Sequence, residues 1–440
     1  MDTHVNLPFH QPSRRRPRAD AARLLVAGLS LLAAGPAAAQ DLGDQEIAPQ
    51  PAIAVNTVTD GAQGQLDMAL APNDDMVFVW ERDAETIAAR RVAADGSFSP
   101  MEELVVNANT ELAKDRPAVC VDAAGNAVVV WEELDASGST ARNILYRRFD
   151  SSLAPLGPEA IASAFPTGSQ IRPDVACAAN GDFTIVWGGE SAGDADGVTG
   201  RRFEADGTPI GGDFQVSTTS GRFSDYAGTQ VAARDDGDFV VLWSETGGGT
   251  DDFLARRFSA DGVALDAMPI EIGDEFVYRM ALDRDRSSGN FIVSWNDNSN
   301  FGQDIQARLF DEAAVPMGDV RFADVDFTAV HNNSAAFSGP NGEVVVAWNP
   351  QNAGVASAQR LDAAMQPIGS EFVLGEGDGG FISFDRFVIE GSTSGELALG
   401  YADFVTGQSR DIFARRFLQA IFADGFESGD TSEWSNVVQE

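Results

Sequence analysis

Short apolar runs separated by polar turns recur along residues 51–417, and the same order of runs returns seven times. Residues 172–218 show the unit: an apolar run, a Gly turn, a second run ending in Trp187, and a variable polar loop. An Arg-Arg-Phe run, an Asp-Gly turn and a last alternating run complete it. That pattern predicts four short strands in an antiparallel meander. Aligned on the aromatic residue, the repeats place Trp80, Trp131, Trp187, Trp243, Trp295, Trp348 and Tyr401 at spacings of 51, 56, 56, 52, 53 and 53 residues. Six residues before the aromatic stands Gly125, Gly181, Gly237, Gly289, Gly342 or Gly395, with Asp74 in the first repeat. A glycine there suits a hairpin turn, because it takes positive φ without a steric cost. The runs that follow (MVFVW, AVVVW, FTIVW, FVVLW, FIVSW, VVVAW, LALGY) are continuously apolar, as in strands covered on both faces.

The strand count is uneven in an informative way. Fourth strands follow only six of the seven repeats, while residues 51–57 (PAIAVNT) carry the fourth-strand pattern ahead of the first. A linear solenoid has no use for an orphan strand at its start. A ring does, because that strand can pair with the third strand of the last repeat and remove an exposed edge. Seven four-stranded repeats with this exchange resemble an all-β, seven-bladed β-propeller closed by its N-terminal strand. The Gly-x-Phe-Val-Val-x-Trp and Ala-Arg-Arg-Phe motifs look most like repeats of large secreted bacterial proteins. The repeat lacks the Trp-Asp and Gly-His pair of WD-repeat blades. It also lacks the sialidase Asp-box, in which only two residues separate Gly from Trp.

The ends differ from the repeats. Residues 1–39 hold Arg14, Arg15, Arg16, Arg18 and Arg23, an apolar segment and Ala37-Ala38-Ala39, the order of a secretory signal peptide. The apolar segment is shorter than the ~20 residues of a membrane span. Residues 40–50 read as a linker. Residues 418–440 form an acidic tail whose core, IFADGFESGDTSEW, is similar to a C-terminal signature of exported Gram-negative proteins. The expected location is therefore the periplasm, outer surface or exterior of such a bacterium, with no membrane span in the mature chain.

The formal charge is −37, and it falls to −40 without residues 1–39, which carry five arginines and two aspartates. Such a field repels phosphate backbones and argues against nucleic acid as a partner. Lys114 is the only lysine, so the positive charge is carried by arginine. Arginine pairs recur in the third strands: Arg90-Arg91, Arg147-Arg148, Arg201-Arg202, Arg256-Arg257 and Arg415-Arg416. Successive strand residues face opposite sides, so each pair should send one guanidinium to each neighbouring blade. Arg91, Arg148, Arg202, Arg257 and Arg416 are thus read as structural, stacking on tryptophan or pairing with carboxylates. The tryptophans are read as core filling between blades.

Catalytic signals are sparse. Outside residues 1–39 the only histidine is His331, placed in a loop before a first strand, which excludes a histidine-based triad or a multi-histidine zinc site within one chain. Cys120 and Cys177 sit in the first strands of adjacent repeats with opposite parity, which leaves a disulfide open if one faces forward and the other back. The second-to-third loops vary and are acidic and glycine-rich. Their carboxylates, Asp83, Glu85, Glu132, Glu133, Asp135, Asp194, Asp196, Asp251, Asp252 and Asp304, could gather on one rim and hold calcium, although no loop has a complete ligand spacing. Function on repeat scaffolds concentrates in such variable loops. The reading is an exported, monomeric, non-catalytic binding or adhesion module, with a glycan or another surface protein as partner. The alternatives are a polysaccharide-active enzyme using carboxylates at the same face, and a structural envelope protein.

Overall fold

The computed structural model describes residues 48–418, excluding positions 62, 137–140, 166, 192–193, 219–221, 225–227, 248–249, 274–276, 298–303, 323–330, 339–341, 351–354, 377–381, 393–395 and 405–409. Among the described residues every regular element is a β-strand. The strands form seven antiparallel sheets, the blades of a propeller, spanning 64–105, 114–161, 170–215, 222–273, 277–322, 331–376 and 382–418. In each blade the first strand lies innermost, followed outward by the second, third and fourth.

The local chemistry of one blade explains all seven. In the third blade, Gln170–Cys177 pairs with Phe183–Ser191 through a turn at Gly181, whose φ is +91°. A Cβ at Gly181 would stand 2.9 Å from the Ala205 Cβ and 3.0 Å from Asp122 Oδ2, so the turn needs glycine for conformation and for space. The second strand then passes through the middle of the sheet with both faces covered. In the first blade, Val77 and Val79 pack forward on Val119, Val121 and Trp131 of the second. Phe78 and Trp80 pack backward on Ala398, Ala402 and Ile412 of the seventh. Each tryptophan of the repeat is at most 3% exposed. Burying about 150–250 Å² of indole apiece stabilises by roughly 4–6 kcal/mol before the entropy of ordering.

Closure of the ring uses the N-terminal segment. Ala48–Pro49 and Ile53–Ala54 pair with Arg410–Leu418, in register Ala48 to Leu418 and Ile53 to Ala414. The pairing begins three residues before the expected 51–57 strand and is interrupted around Pro51, which has no N–H to give to the ladder. The mimicry of a fourth strand extends to side chains. Asn56 Oδ1 accepts the N–H of Ile412 at 2.7 Å, as Asn107 Oδ1 accepts that of Ile87 at 2.8 Å within the first blade. Asn56 Nδ2 also donates to Asp411 Oδ1 at 2.7 Å.

The outermost strands are less regular than the sequence suggests. In the second and fifth blades they shrink to Ala160–Ile161 and Arg321–Phe322. The preceding turns there are wider and proline-containing, held by isolated bridges from Phe149 to Pro155 and from Phe310 to Pro316. These turns delay the return of the chain to the sheet.

Candidate functional site

The innermost strands, Gly64–Leu70, Lys114–Val121, Gln170–Cys177, Thr229–Ala233, Val277–Arg284, His331–Ser338 and Ile382–Gly391, surround a central channel. It encloses a cavity of about 260 Å³ lined by residues of all seven blades. Alternate blades contribute a carboxyl group to the wall: Asp67, Asp174, Asp283 and Glu390. Three of them act as latches between blades. Asp67 Oδ2 accepts the N–H of Val119 at 2.9 Å, Asp174 Oδ2 that of Val231 at 2.7 Å, and Asp283 Oδ2 that of Phe337 at 2.7 Å. Burial pushes the Asp283 carboxyl up to about 6, against the lowering effect of the Phe337 and Arg284 N–H donors. Glu390 is raised well above the carboxylate range, first by burial and then by Asp283 and Asp67 facing it, with Arg286 opposing.

Arg286 also crosses the short-turn end of the channel. It starts from the fifth blade, where its Nε donates to Asp235 Oδ1 of the fourth at 2.8 Å. Its Nη2 reaches the carbonyl of Cys177 in the third blade at 3.1 Å, and Nη1 that of Val121 in the second at 3.5 Å. One guanidinium thus ties four blades across that end. The other end opens among the variable loops.

At this open mouth the innermost strands carry a recurring bulge, between Gly64 and Asp67, Asp115 and Ala118, and Ile171 and Asp174. Equivalent bulge residues take positive φ: Gln65 (44°), Arg116 (52°), Arg172 (57°) and Gly228 (87°). Beside them Glu132, buried at 2% exposure, joins the second blade to the third. Its Oε1 accepts the Arg172 N–H at 2.7 Å and lies 3.3 Å from Arg116 Nε, while its Oε2 lies 3.3 Å from Arg142 Nη1. Burial raises its carboxyl, and the Arg172 N–H and Arg116 pull it back. Glu81 holds the same place in the first blade. Burial pushes it up to about 7, with Asp115 and Asp83 adding to the rise and Arg116 and Arg142 opposing it. A carboxyl of that kind still carries its proton, in part, at neutral pH. The residues after the tryptophans of the fourth to sixth blades are Ser244, Asn296 and Asn349, uncharged and fully buried. An acidic residue directly after the aromatic thus stands only in the first two blades, and with Asp115, Arg116 and Arg142 it forms one charged cluster there.

The carboxylates expected at the rim do not form one set. Asp83 and Glu85 are exposed on the first blade. Glu132 is turned inward as described, and Glu133 is buried against Lys114, 3.0 Å from its Nζ. Asp135, Asp196 and Asp252 are half-buried. Asp194, Asp251 and Asp304 lie on third strands, with side chains outside the described residues. Among the described residues no three His, Cys, Asp or Glu side chains converge on a metal position. His331 begins the innermost strand of the sixth blade rather than a loop before it, and its side chain is outside the described residues. Cys120 and Cys177 are joined by a disulfide, with Cα atoms 5.5 Å apart, across the inner strands of the second and third blades.

The arginine pairs reach both ways around the ring. The first of each pair bonds a carbonyl of the preceding blade: Arg147 to Val106 at 2.8 Å, Arg201 to Ala162 at 2.9 Å, Arg256 to Val216 at 2.9 Å and Arg415 to Leu374 at 3.1 Å. The second reaches a turn of the next blade: Arg91 to the Gly125 carbonyl at 2.6 Å, Arg148 to Ala205 at 2.7 Å, Arg257 to Glu312 at 2.6 Å and Arg416 to Asp74. Arg202 packs against the turn at Gly262. Their stacking partner is phenylalanine rather than tryptophan. Arg147, Arg201 and Arg256 lie 5.5–5.7 Å from the ring centres of Phe149, Phe203 and Phe258, two residues along and on the same side of the strand.

The mouth arginines were missed in the sequence because they were sought in the third strands. The available signal was Arg116-Pro117 and Arg172-Pro173, each nine residues before the turn glycine of its repeat.

No protein-family model and no curated protein sequence matches the chain. Solved structures do. A protein of unknown function from Dyadobacter fermentans has a TM-score of 0.51 at 9% identity, covering 84% of this chain and 98% of its own. The polysaccharide lyase Uly1 has a TM-score of 0.48 at 10% identity, covering 80% and 90%. The Aleuria aurantia lectin, solved with Fucα1-6GlcNAc, has a TM-score of 0.41 at 12% identity, covering 67% and 93%. At these identities the likeness is one of fold. No helix among the described residues is long and apolar enough to cross a membrane.

Proposed function

We propose that the chain is an exported, monomeric saccharide-binding propeller that takes its ligand at the channel mouth, on the variable-loop face. The carrying observation is the asymmetry of the mouth. Glu81, Asp115, Arg116, Glu132 and Arg142 crowd the sector of the first two blades, whereas the third to sixth have uncharged residues after their tryptophans. The seams of the ring are built mainly from features that recur around it, so a network confined to one sector points to a further role. Fixed guanidinium and carboxyl groups beside a cavity suit a ligand rich in hydroxyl groups, which both donates and accepts. The Cys120–Cys177 disulfide supports an oxidising compartment and hence export.

The test is a glycan array followed by titration calorimetry on the mature chain. Binding to a defined saccharide is expected, weakened at least tenfold by Glu132→Gln, which leaves Arg116 and Arg142 without their shared partner. An array with no saccharide bound above background counts against the reading. A second reading, a polysaccharide-active enzyme, draws on Glu81, whose carboxyl near 7 is suited to a general acid. A reducing-end assay on the bound saccharide separates the two: turnover lost in Glu81→Gln supports the enzyme, and binding without turnover supports the module.

A further inference from the structure

We propose that the mouth receives the carboxylate of an acidic saccharide's terminal residue, an inference that rests on the saccharide reading and sharpens it to a ligand class. Its basis is the set of arginines that the innermost strands bring to one ring. Arg116, Arg172 and Arg279 line the cavity from the second, third and fifth blades. Arginine presents a planar fork of donors that matches a carboxylate in two parallel hydrogen bonds.

The backbone adds a second, independent observation. Arg116 and Arg172 sit at φ of 52° and 57°, a left-handed conformation that costs a side-chain-bearing residue roughly 1–2 kcal/mol. Gly228 holds the equivalent place in the fourth blade at 87° without that penalty. Gln65, at 44°, shares this bulge in the first blade, and bulges of this kind re-aim side chains next to functional sites. The Arg116 ion pairs with Asp115 and Glu132 run through Nε, which orients the Nη edge of its guanidinium.

The shape of the channel limits how much ligand enters. Arg286 reaches across the far end to carbonyls of the second and third blades and narrows it. The cavity volume of about 260 Å³ falls just under the roughly 300–1,000 Å³ of sites that enclose whole small molecules. One sugar residue suits it, and a chain segment does not. Deeper in the channel, Asp67, Asp174 and Asp283 are engaged by backbone N–H groups of the next blade. A protein of charge −37 repels a long polyanion, but screening confines that repulsion to within about 8 Å of its acidic groups at physiological salt. A single terminal carboxylate can therefore reach the arginine ring where a polyanionic chain lying across the face cannot.

The experiment is titration calorimetry of the mature chain with short oligomers of galacturonate, glucuronate and mannuronate, each beside its carboxyl-reduced neutral form. At least one acidic oligomer should bind, with its neutral form at least tenfold weaker. Arg172→Lys and Arg279→Lys, which keep the charge and lose the fork, should each lower that affinity about tenfold. Arg257→Ala, which loses an outer clamp between blades, should leave it unchanged. Equal binding of acidic and neutral forms overturns the acidic class and leaves the saccharide reading intact. Failure of every oligomer here, with neutral glycans bound on the array, does the same. Failure of all saccharides in both experiments overturns both proposals. Equal losses in Arg257→Ala and the mouth variants would show that fold integrity, rather than the mouth, sets the affinity, and would overturn the assignment.

Discussion

Glu390 carries a carboxyl that folding raises well above its ordinary range. Its carboxyl faces Asp283, Asp67 and Asp174 within the channel wall, and burial adds to their repulsion. An acid whose pKa is raised by folding holds its proton more tightly in the native state than in the unfolded chain. Its unfavourable contribution is therefore absent at low pH and grows as pH rises from the unfolded value, near 4.5, toward the folded one. Glu390→Gln removes the ionisation and keeps the shape. Between pH 5 and pH 9 the melting temperature of the wild type should fall more steeply on the alkaline side than that of Glu390→Gln. Parallel curves would show that the channel tolerates the charge. Glu81, pushed up to about 7, should behave alike over about pH 4.5–7, with a smaller amplitude because it is partly open to solvent. None of this was legible in the sequence. Asp283 and Glu390 are two among 67 acidic residues, and only the curvature of the ring brings alternate innermost strands face to face.

The strands themselves were far more legible, for a definite reason. A second strand covered on both faces must be continuously apolar, and a hairpin with positive φ favours glycine, so Gly181 and Trp187 mark a blade without any tertiary information. The orphan strand near residue 51 was legible by counting. Its bounds were not, since Pro49 and Pro51 disguise where the ladder starts. Deleting residues 48–58 should leave Arg410–Leu418 with an open edge and cause aggregation or a loss of cooperative melting, whereas removing 419–440 should leave the melting temperature within a degree or two. An N-terminal deletion as stable as the full mature chain would refute the closure. The disulfide is a further tie between elements. It closes a separation of 57 residues, which in the chain-entropy model is worth about 4 kcal/mol. With unfolding entropy near 2.1 cal/mol/K per residue, replacing both cysteines by serine should lower the melting temperature by about 5 °C. Scanning calorimetry of the oxidised wild type and the double variant checks this, and equal values would mean the inner strands are held by packing alone.

The molecule as a whole is a strongly acidic ring with arginines in its seams and at its mouth. Self-repulsion at a charge of −37 weakens the folded state, so sodium chloride should raise the melting temperature until screening is complete. Millimolar calcium at matched ionic strength is the arm that tests the variable-loop rim: a larger rise than with sodium marks bound ions, and an equal rise marks a solvated acidic face. Position on the ring also explains which parts of the site escaped the sequence. The periodic features announce themselves by repetition, while Arg286 and the network around Glu132 are single exceptions to the repeat. Closure, finally, bears on the timing of biosynthesis. Ala48 leaves the ribosome early, yet its partner Leu418 follows only after every blade has been made. The first-made strand must wait unpaired for the last, so a polypeptide cut short in any later blade keeps an open seam that proteases and chaperones can recognise. The ring thus audits its own length as far as its last strand, and a chain that stops short of that strand cannot hide its edges.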